Sequence, residues 1–370
     1  MVVVAIAKQE LYNSEQVKIK LEDILTKSGI IELIEGKRVL IKPNCTGLFK
    51  PEEGRTTHPV VVKNLIEILK NSCTKVTVGE SSSAGVDTIE AYVASGIYDA
   101  AKEKNVEIID FKKSKYINVE VDGLILNSIQ VPEEILKVDF IISAAKLKTN
   151  YVSGISCATK NLKGFLMDED KKRFHRIGLG KAVADLSKAL PNTLGVVDGI
   201  LASELYEPIK GNVLVASKDV MACDAVCARI MNISLDDVEH IRLGLDEAEE
   251  VQITGDSISE LTTEFKKYIN DETTIEKEYG IKIKNNGCSN CLGALYLSLK
   301  KVRDKNPELI RGLEIIVGSY EEDPKDKLFF GNCCIKSNQE NSEIRFVRGC
   351  PPITSEFMKE LKEIKAYRSE

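Results

Sequence analysis

Short β-branched runs alternate with stretches of helical period along most of this chain, and that alternation restricts the fold more than any other feature. Val2–Ala7, Arg38–Lys42, Lys75–Gly79, Val106–Asp110 and Asp139–Ala144 read as buried strands, and Thr193–Asp198 and Val213–Ser217 continue the series. Between them Ser14–Thr26, Pro59–Ser72, Thr88–Lys104, Asp219–Met231 and His240–Glu249 carry helical periodicity, with Pro59 suited to a first turn. Parallel neighbours need crossover connections, so this alternation predicts an α/β domain with a largely parallel sheet. The polar stretch Gly255–Gly280 reads as a helical connector. Beyond it the pattern restarts with a helix at Leu292–Val302, strands at Leu313–Ser319, Leu328–Gly331 and Glu343–Val347, and a closing helix at Thr354–Ile364 N-capped by Thr354. The expected organisation is an anion- or substrate-binding α/β domain over residues 1–280, followed by a smaller cysteine-rich α/β iron–sulfur module over residues 281–370.

That second module is where the cysteines crowd. Cys288 and Cys291 stand two residues apart, Cys333 and Cys334 form a doublet, and Cys350 precedes Pro351-Pro352. Thiolates are soft anionic ligands, and a Cys-Pro step is common beside iron–sulfur clusters. Three readings compete: a 4Fe-4S cluster on Cys288, Cys291, Cys333 and Cys350; a structural zinc site; and buried structural cysteines or a regulatory dithiol. Zinc knuckles come as two close pairs, whereas here the second half is a doublet and a distant Cys-Pro-Pro, which favours the cluster. Cys334 is a fifth thiol beside the site, an alternative ligand to Cys333, a sulfur donor or a packed neighbour.

Composition narrows the class. A net charge of −6 argues against a nucleic-acid partner. No stretch reaches the roughly 18 apolar residues a membrane span needs. The N-terminus Met-Val-Val-Val-Ala-Ile-Ala-Lys lacks a basic start and reads as a strand, not a signal peptide. Ten cysteines without an export signal imply a reducing cytoplasm. The absence of tryptophan and the richness in Lys, Glu and Ile suit an AT-rich anaerobe.

In the first domain, polar clusters recur at strand ends, where open α/β sheets bind ligands. Lys42-Pro43-Asn44 ends one strand, and Lys146-Leu147-Lys148-Thr149-Asn150 another. Cys157-Ala158-Thr159-Lys160-Asn161-Leu162-Lys163-Gly164 follows soon after. Cations gathered in one cleft repel each other unless an anion or carboxylates compensate, so Lys42, Asn44, Lys146, Lys148, Lys160, Asn161 and Lys163 are the expected anion-binding residues. Asp198 is a compensating carboxylate. Gly79–Gly85 is a small-residue loop whose backbone donors could cradle an oxyanion, although it matches no phosphate-loop pattern. Of three histidines, His58 opens a helix, His175 follows basic motifs, and His240 reads as structural. His58 and His175 are the candidates for proton transfer, with Asp198 orienting one of them.

Taken together, Lys42-Pro43-Asn44, Thr57-His58-Pro59, Lys146-Leu147-Lys148-Thr149, Thr159–Gly164, His175, Val197-Asp198-Gly199 and Asp219–Asp224 resemble, in order, the family known as domain of unknown function 362 over roughly residues 1–250. The resemblance implies an α/β fold, a site at these motifs, and association with iron–sulfur modules. The tight cysteine run of a ferredoxin is missing, and Asn150 stands where the family places a histidine after Lys-Thr. The leading expectation is an iron–sulfur redox enzyme acting on a small anionic molecule held in a basic cleft next to a 4Fe-4S cluster. An electron-transfer protein and a second copy of the chain, as a homodimer, are the other expected partners. The rivals are a non-enzymatic electron carrier or assembly partner, and a redox-silent isomerase or transferase with a structural zinc or cluster.

Overall fold

The computed structural model describes residues 1–245, 250–266, 272–304, 306–318, 327–336 and 345–368. It divides into two compact units, Met1–Lys267 and Tyr268–Glu370. The strands of the first unit are β1 (Val2–Lys8), β2 (Arg38–Pro43), β3 (Lys75–Glu80), β4 (Glu107–Asp110), β5 (Tyr116–Glu120), β6 (Ser128–Pro132), β7 (Phe140–Asn150), β8 (Gly154–Ser156), β9 (Thr193–Glu204), β10 (Glu207–Ser217) and β11 (Val251–Gly255). All but the β5–β6 hairpin join one sheet ordered β11-β1-β10-β9-β7-β2-β3-β4, with β8 paired to β7. From β9 to β4 the neighbours are parallel. The fold is α/β with a largely parallel sheet, as the alternation in the sequence predicts.

The chain order across that parallel block decides where a ligand can sit. From β2 the chain moves outward to β3 and β4, then returns to β7 on the other side of β2 and continues to β9. The direction of winding reverses between β2 and β7, and the crossovers leave opposite sides of the sheet there. A crevice opens at the carboxyl ends of such a strand pair. Register sets Lys42 of β2 beside Ser143, and Lys146 of β7 beside Asp198 of β9.

Both faces of the sheet are covered. Val39, Ile41, Ile142, Ala144 and Val196 face a core built with Leu21, Ile24, Val61 and Leu65 of the helices Ser14–Lys27 and Pro59–Ser72. The alternate residues Ala145, Leu147 and Val197 face Cys223 and Val226 of the helix Val220–Ile230, and Leu40 and Ile141 face Phe165 and Leu186. The period-2 alternation of a strand thus feeds two cores. The span expected as one helix over Thr88–Lys104 is two, Thr88–Ala94 and Ile97–Glu103, because Gly96 takes a left-handed φ of 73° between them. The strand expected at Asp139–Ala144 runs on to Asn150, so Lys146 and Lys148 lie within β7 rather than beyond it. The hairpin β5–β6 and the helices Asp168–Ile177 and Leu179–Ala189 are additions that the sequence reading lacked.

The second unit is a four-stranded, wholly parallel sheet of β12 (Lys282–Asn286), β13 (Glu314–Gly318), β14 (Lys327–Phe330) and β15 (Arg345–Val347), in that order. The helices Ser289–Arg303 and Thr354–Arg368 bury Leu295, Leu299, Phe357 and Leu361 against Ile315, Val317 and Phe330. The helix Glu272–Tyr279 contributes Ile275 and Tyr279 to this same core. Residues 246–249, 319 and 343–344, which end or begin three expected elements, lie outside the described residues. No helix among the described residues is long and apolar enough to cross a membrane.

Candidate functional site

At the carboxyl ends of β2, β3, β7 and β9 the polar side chains are buried and sorted into pairs. Lys42 Nζ, fully buried, donates to Glu80 Oε2 at 2.8 Å, to the Pro43 carbonyl at 3.1 Å and to Asn161 Oδ1 at 3.2 Å. Lys146 Nζ, equally buried, donates to Asp198 Oδ2 at 2.9 Å and to Tyr12 Oη at 2.8 Å. Burial pulls both ammonium pKa values down, and the facing carboxylates pull them back up. A buried charge persists only when paired and hydrogen-bonded, and both lysines meet that condition. Their charges are therefore neutralised within the protein.

Asn44 and Asn161 tie the strand ends together. Asn44 Nδ2 donates to Asn161 Oδ1 at 3.1 Å, and Asn161 Nδ2 donates to the Lys42 carbonyl at 3.0 Å and Ser143 Oγ at 3.1 Å. Gly164 packs directly on the Lys42–Glu80 pair: a Cβ there would come within 1.8 Å of Glu80 Oε1. The loop after β3 does not offer an oxyanion cradle. The Ser81, Ser82, Ser83 and Gly85 amides donate to Gly164 and Glu80, to Thr88, to Thr46 and to Asp168 respectively. The loop instead presents oxygens of Ser81 and Ser82 to Lys171 Nζ.

Three lysines are left without a carboxylate. Lys148 Nζ donates to Asn44 Oδ1 at 2.5 Å and to the Arg55 carbonyl at 2.7 Å. Lys163 Nζ lies 2.9 Å from His175 Nε2. The Lys160 ammonium, on the short helix Ala158–Asn161, makes no hydrogen bond or ion pair among the described residues. Burial drives the Lys148 pKa well below its ordinary value, and the charges of Arg55, Lys160 and Lys146 drive it further. Lys163 is lowered by burial and then by Lys160 and Lys171. Burial brings Lys160 down to about 8. Arg55 joins the cluster, its guanidinium lying over the rings of Phe49 at 3.8 Å and Tyr206 at 4.6 Å. These four basic groups form no ion pair with any described carboxylate.

Both proton-transfer candidates are neutral. His58 N-caps the helix Pro59–Ser72, its Nδ1 accepting from the Val60 amide at 3.2 Å, so the neutral ring carries its proton on Nε2. Its ring stacks on Tyr12 with centroids 3.5 Å apart, and burial pushes its pKa down to about 4. Asp198 accepts from the backbone amide of His58 at 2.9 Å, so it orients the helix entry and not the imidazole. Burial, then the charges of Lys163 and Lys160, push His175 down to about 2. His175 Nε2 faces Lys163 Nζ, and Nδ1 is a buried atom with no hydrogen-bond partner among the described residues. His240 is fully buried, with Nε2 3.6 Å from Asp224. Tyr12, Glu80, Arg55 and Lys171 are the residues the sequence reading missed as site members. Only Glu80, at the end of a strand beside a lysine-ended neighbour, carried a readable signal. A cavity of about 220 Å³ between the β5–β6 hairpin and the helix Asp168–Ile177 shares none of its lining with the lysine cluster.

In the second unit, Cys288 and Cys291 follow β12, Cys333 follows β14 and Cys350 follows β15. The Cys291 thiol pKa is pushed far up, first by its hydrogen bond with Cys288, then by burial, then by the neighbouring sulfurs of Cys288, Cys350 and Cys333. Cys288, Cys333 and Cys350 therefore lie within electrostatic reach of Cys291. Gly331, with a φ of 104°, gives the array room: a Cβ there would stand 3.2 Å from Cys291 Sγ. Cys334 turns away, packing with Ile316 and Phe329, its sulfur 2.9 Å from the Gly318 carbonyl, and burial brings its pKa up to about 11. No three or more Cys, His, Asp or Glu side chains among the described residues close on one point as ligands of a single ion do. Thiolates are soft donors, and these four at the strand ends are the side chains of the second unit that could hold a metal centre.

The family described as domain of unknown function (DUF362) matches residues 39–229, just over half of the 370-residue chain. The chain belongs to this family. Every polar site residue of the first unit described above, apart from Tyr12 and His240, falls inside the DUF362 match. The thylakoid-associated protein sll1697 of Synechocystis is 26% identical over 209 residues, covering 54% of this DUF362 chain and 64% of that protein. The chain thus spans less than two thirds of that relative's length. Among solved structures, the lactate racemase apoprotein of Thermoanaerobacterium thermosaccharolyticum matches with a TM-score of 0.42 and 15% identity, over 63% of this chain and 57% of that one.

Proposed function

We propose that this DUF362 member is an iron–sulfur redox enzyme acting on a small anionic molecule. The observation that carries the reading is the set of Lys148, Lys160, Lys163 and Arg55 at the switch between β2 and β7, none of them ion-paired with a described carboxylate, although Glu53 and Glu207 lie within electrostatic reach of Arg55. Neighbouring buried basic groups without an ion-pair partner are relieved by an anion among them or by loss of a proton, and the first of these is the reading adopted. A carboxylate or phosphate meets that need, with Lys148 and Arg55 placed to bind it. The buried pairs Lys42–Glu80 and Lys146–Asp198 act as a rigid frame, fixing Asn44 and Asn161 behind the cations. His175, neutral at physiological pH, is placed with Lys163 as a pair through which a proton could move.

Cys288, Cys291, Cys333 and Cys350 would hold a 4Fe-4S cluster, with zinc as the rival metal. When bound, that cluster supplies one-electron chemistry, exchanged with an external electron-transfer protein. Iron and sulfide analysis of anaerobically purified protein, with an absorption band near 400 nm bleached by dithionite, tests the metal half. Sulfate or phosphate titration followed by the melting temperature tests the anion half. A redox-silent isomerase is favoured by one observation, the Lys163–His175 pair, which suits proton transfer without electrons. Zinc in place of iron in the purified protein would select it.

A further inference from the structure

We infer that Asn44 is a positioning residue: it holds the Lys148 ammonium through a neutral oxygen, so that Lys148 keeps its charge for a ligand oxyanion received together with Arg55. This inference rests on the anion site proposed above and names the residue that makes one of its cations available. Three lysines stand on β2 and β7, and each donates to a side-chain oxygen from another segment. Lys42 Nζ reaches Glu80 Oε2 at 2.8 Å, and Lys146 Nζ reaches Asp198 Oδ2 at 2.9 Å. Lys148 Nζ reaches Asn44 Oδ1 at 2.5 Å, and its other partner is the Arg55 carbonyl at 2.7 Å. Asparagine and aspartate have the same shape, so the third lysine differs from the other two in the charge of its partner and not in the space around it. A carboxylate at position 44 would neutralise Lys148 as Glu80 and Asp198 neutralise Lys42 and Lys146.

The network fixes which atom of Asn44 faces the lysine. Lysine has donors only, so it meets the amide oxygen. Asn44 Nδ2 then donates to Asn161 Oδ1 at 3.1 Å, an atom that also accepts from Lys42 Nζ at 3.2 Å. Asn161 Nδ2 is occupied by the Lys42 carbonyl and Ser143 Oγ. Lys148 is thereby tied, through two oriented amides, to the buried Lys42–Glu80 pair. The second cation is set by the segment that follows. The Asn44 backbone amide donates to Thr57 Oγ1 at 2.8 Å, and its carbonyl accepts from Thr56 Oγ1 at 2.7 Å. Gly54, with a φ of 65°, lies so close to β9 that a Cβ would stand 2.6 Å from the Ala202 carbonyl oxygen. Between these anchors Arg55 gives its carbonyl to Lys148 and lays its guanidinium over Phe49 and Tyr206 at 3.8 and 4.6 Å. The guanidinium N–H groups make no hydrogen bond among the described residues. A guanidinium held this way is pre-organised for an oxyanion.

The test measures the sulfate dissociation constant of the full chain from the rise in melting temperature with concentration, against chloride at equal ionic strength. Asn44→Asp and Asn44→Ala both lose the donor to Asn161, so that structural loss is common to them. Only Asn44→Asp gives Lys148 a carboxylate. Sulfate affinity should fall several-fold in Asn44→Ala, where Nζ loses its orienting oxygen, and about tenfold further in Asn44→Asp, where the charge is neutralised. An amide that served only to hold Asn161 would lower both melting temperatures and leave sulfate affinity alone. Sulfate affinity in Asn44→Asp equal to or tighter than in Asn44→Ala, or wild-type affinity in either, would overturn the role of Asn44 and leave the anion site standing. No stabilisation of the wild-type protein by sulfate would overturn the anion site, and this inference with it. If Asn44→Asp does not fold, Asn44→Ala decides: a several-fold weaker sulfate response supports the positioning role, and an unchanged one overturns it.

Discussion

The two units of this chain place their reactive groups by the same rule and fill the positions with opposite chemistry. In the first, lysines, asparagines and carboxylates converge at the carboxyl ends of β2, β3, β7 and β9; in the second, thiols follow the carboxyl ends of β12, β14 and β15. A protonated thiol is a small apolar group that can be buried without a counter-charge, so the cysteines need no partners elsewhere in the sequence. An ammonium cannot be buried that way. Each lysine of the first unit must find a carboxylate, share an external anion or give up its proton, and the structure assigns different lysines to different fates. The lesson is that a soft-ligand site is written in local spacing, whereas a charged site is decided by who pairs with whom across the sheet.

The sharpest break of that comparison comes from the thiols. Cys288→Ser, Cys291→Ser, Cys333→Ser and Cys350→Ser should each lose most of the bound iron, read by metal analysis of anaerobic preparations. Cys334→Ser should keep it, because its sulfur faces the carbonyls of Gly318 and Phe330. Full iron in any of the first four would remove that residue from the ligand set.

The frame lysines come next. Lys42→Ala leaves Glu80 buried without a partner and should cost about 3–5 kcal/mol in urea unfolding. The pair Lys42→Met with Glu80→Leu should recover most of that loss. If Lys42→Ala proves nearly neutral, the charge at position 42 is not neutralised internally and the division between frame and ligand cations fails.

A smaller effect separates the ligand cations from the frame. Sulfate at 100 times its dissociation constant should stabilise the fold by about 2.7 kcal/mol. Lys148→Ala should remove most of that gain, since position 148 donates to neutral oxygens, lies in reach of other cations and has no carboxylate partner. An unchanged sulfate response in Lys148→Ala would move the anion elsewhere.

The smallest effect is in pH. His58 and His175 have folded-state pKa values lowered to about 4 and about 2, against about 6.5 unfolded. Below pH 6.5 the unfolded chain binds protons that the folded chain refuses, so stability falls as pH drops. Each histidine adds at most about 1.4 kcal/mol per pH unit, from pH 6.5 down toward its folded value. His175→Asn should flatten the slope measured between pH 6.5 and 5. A slope identical to wild type would mean that position 175 is not held neutral.

Much of this was legible from the chain. The alternation of period-2 and period-3.6 segments sufficed for the α/β class, and Pro59–Ser72 was readable to its last residue because Pro59 marks its first turn. Lys42, Asn44, Lys146, Lys148, Lys160, Asn161 and Lys163 were all readable as strand-end or helix-start polar groups. Tyr12 was not. It lies 186 residues from Asp198, in a polar segment before the first helix, and nothing local marks it as a partner of Lys146. Nor was the split of the lysines, which depends on Glu80 reaching Lys42 from 38 residues away. Local pattern decides which face of an element is apolar and where it stops, since both follow from side-chain periodicity and backbone sterics. Only the tertiary structure decided which cations are neutralised, because that depends on distances of a few ångströms between segments the chain order keeps apart, in a low-dielectric interior where an unpaired charge cannot remain.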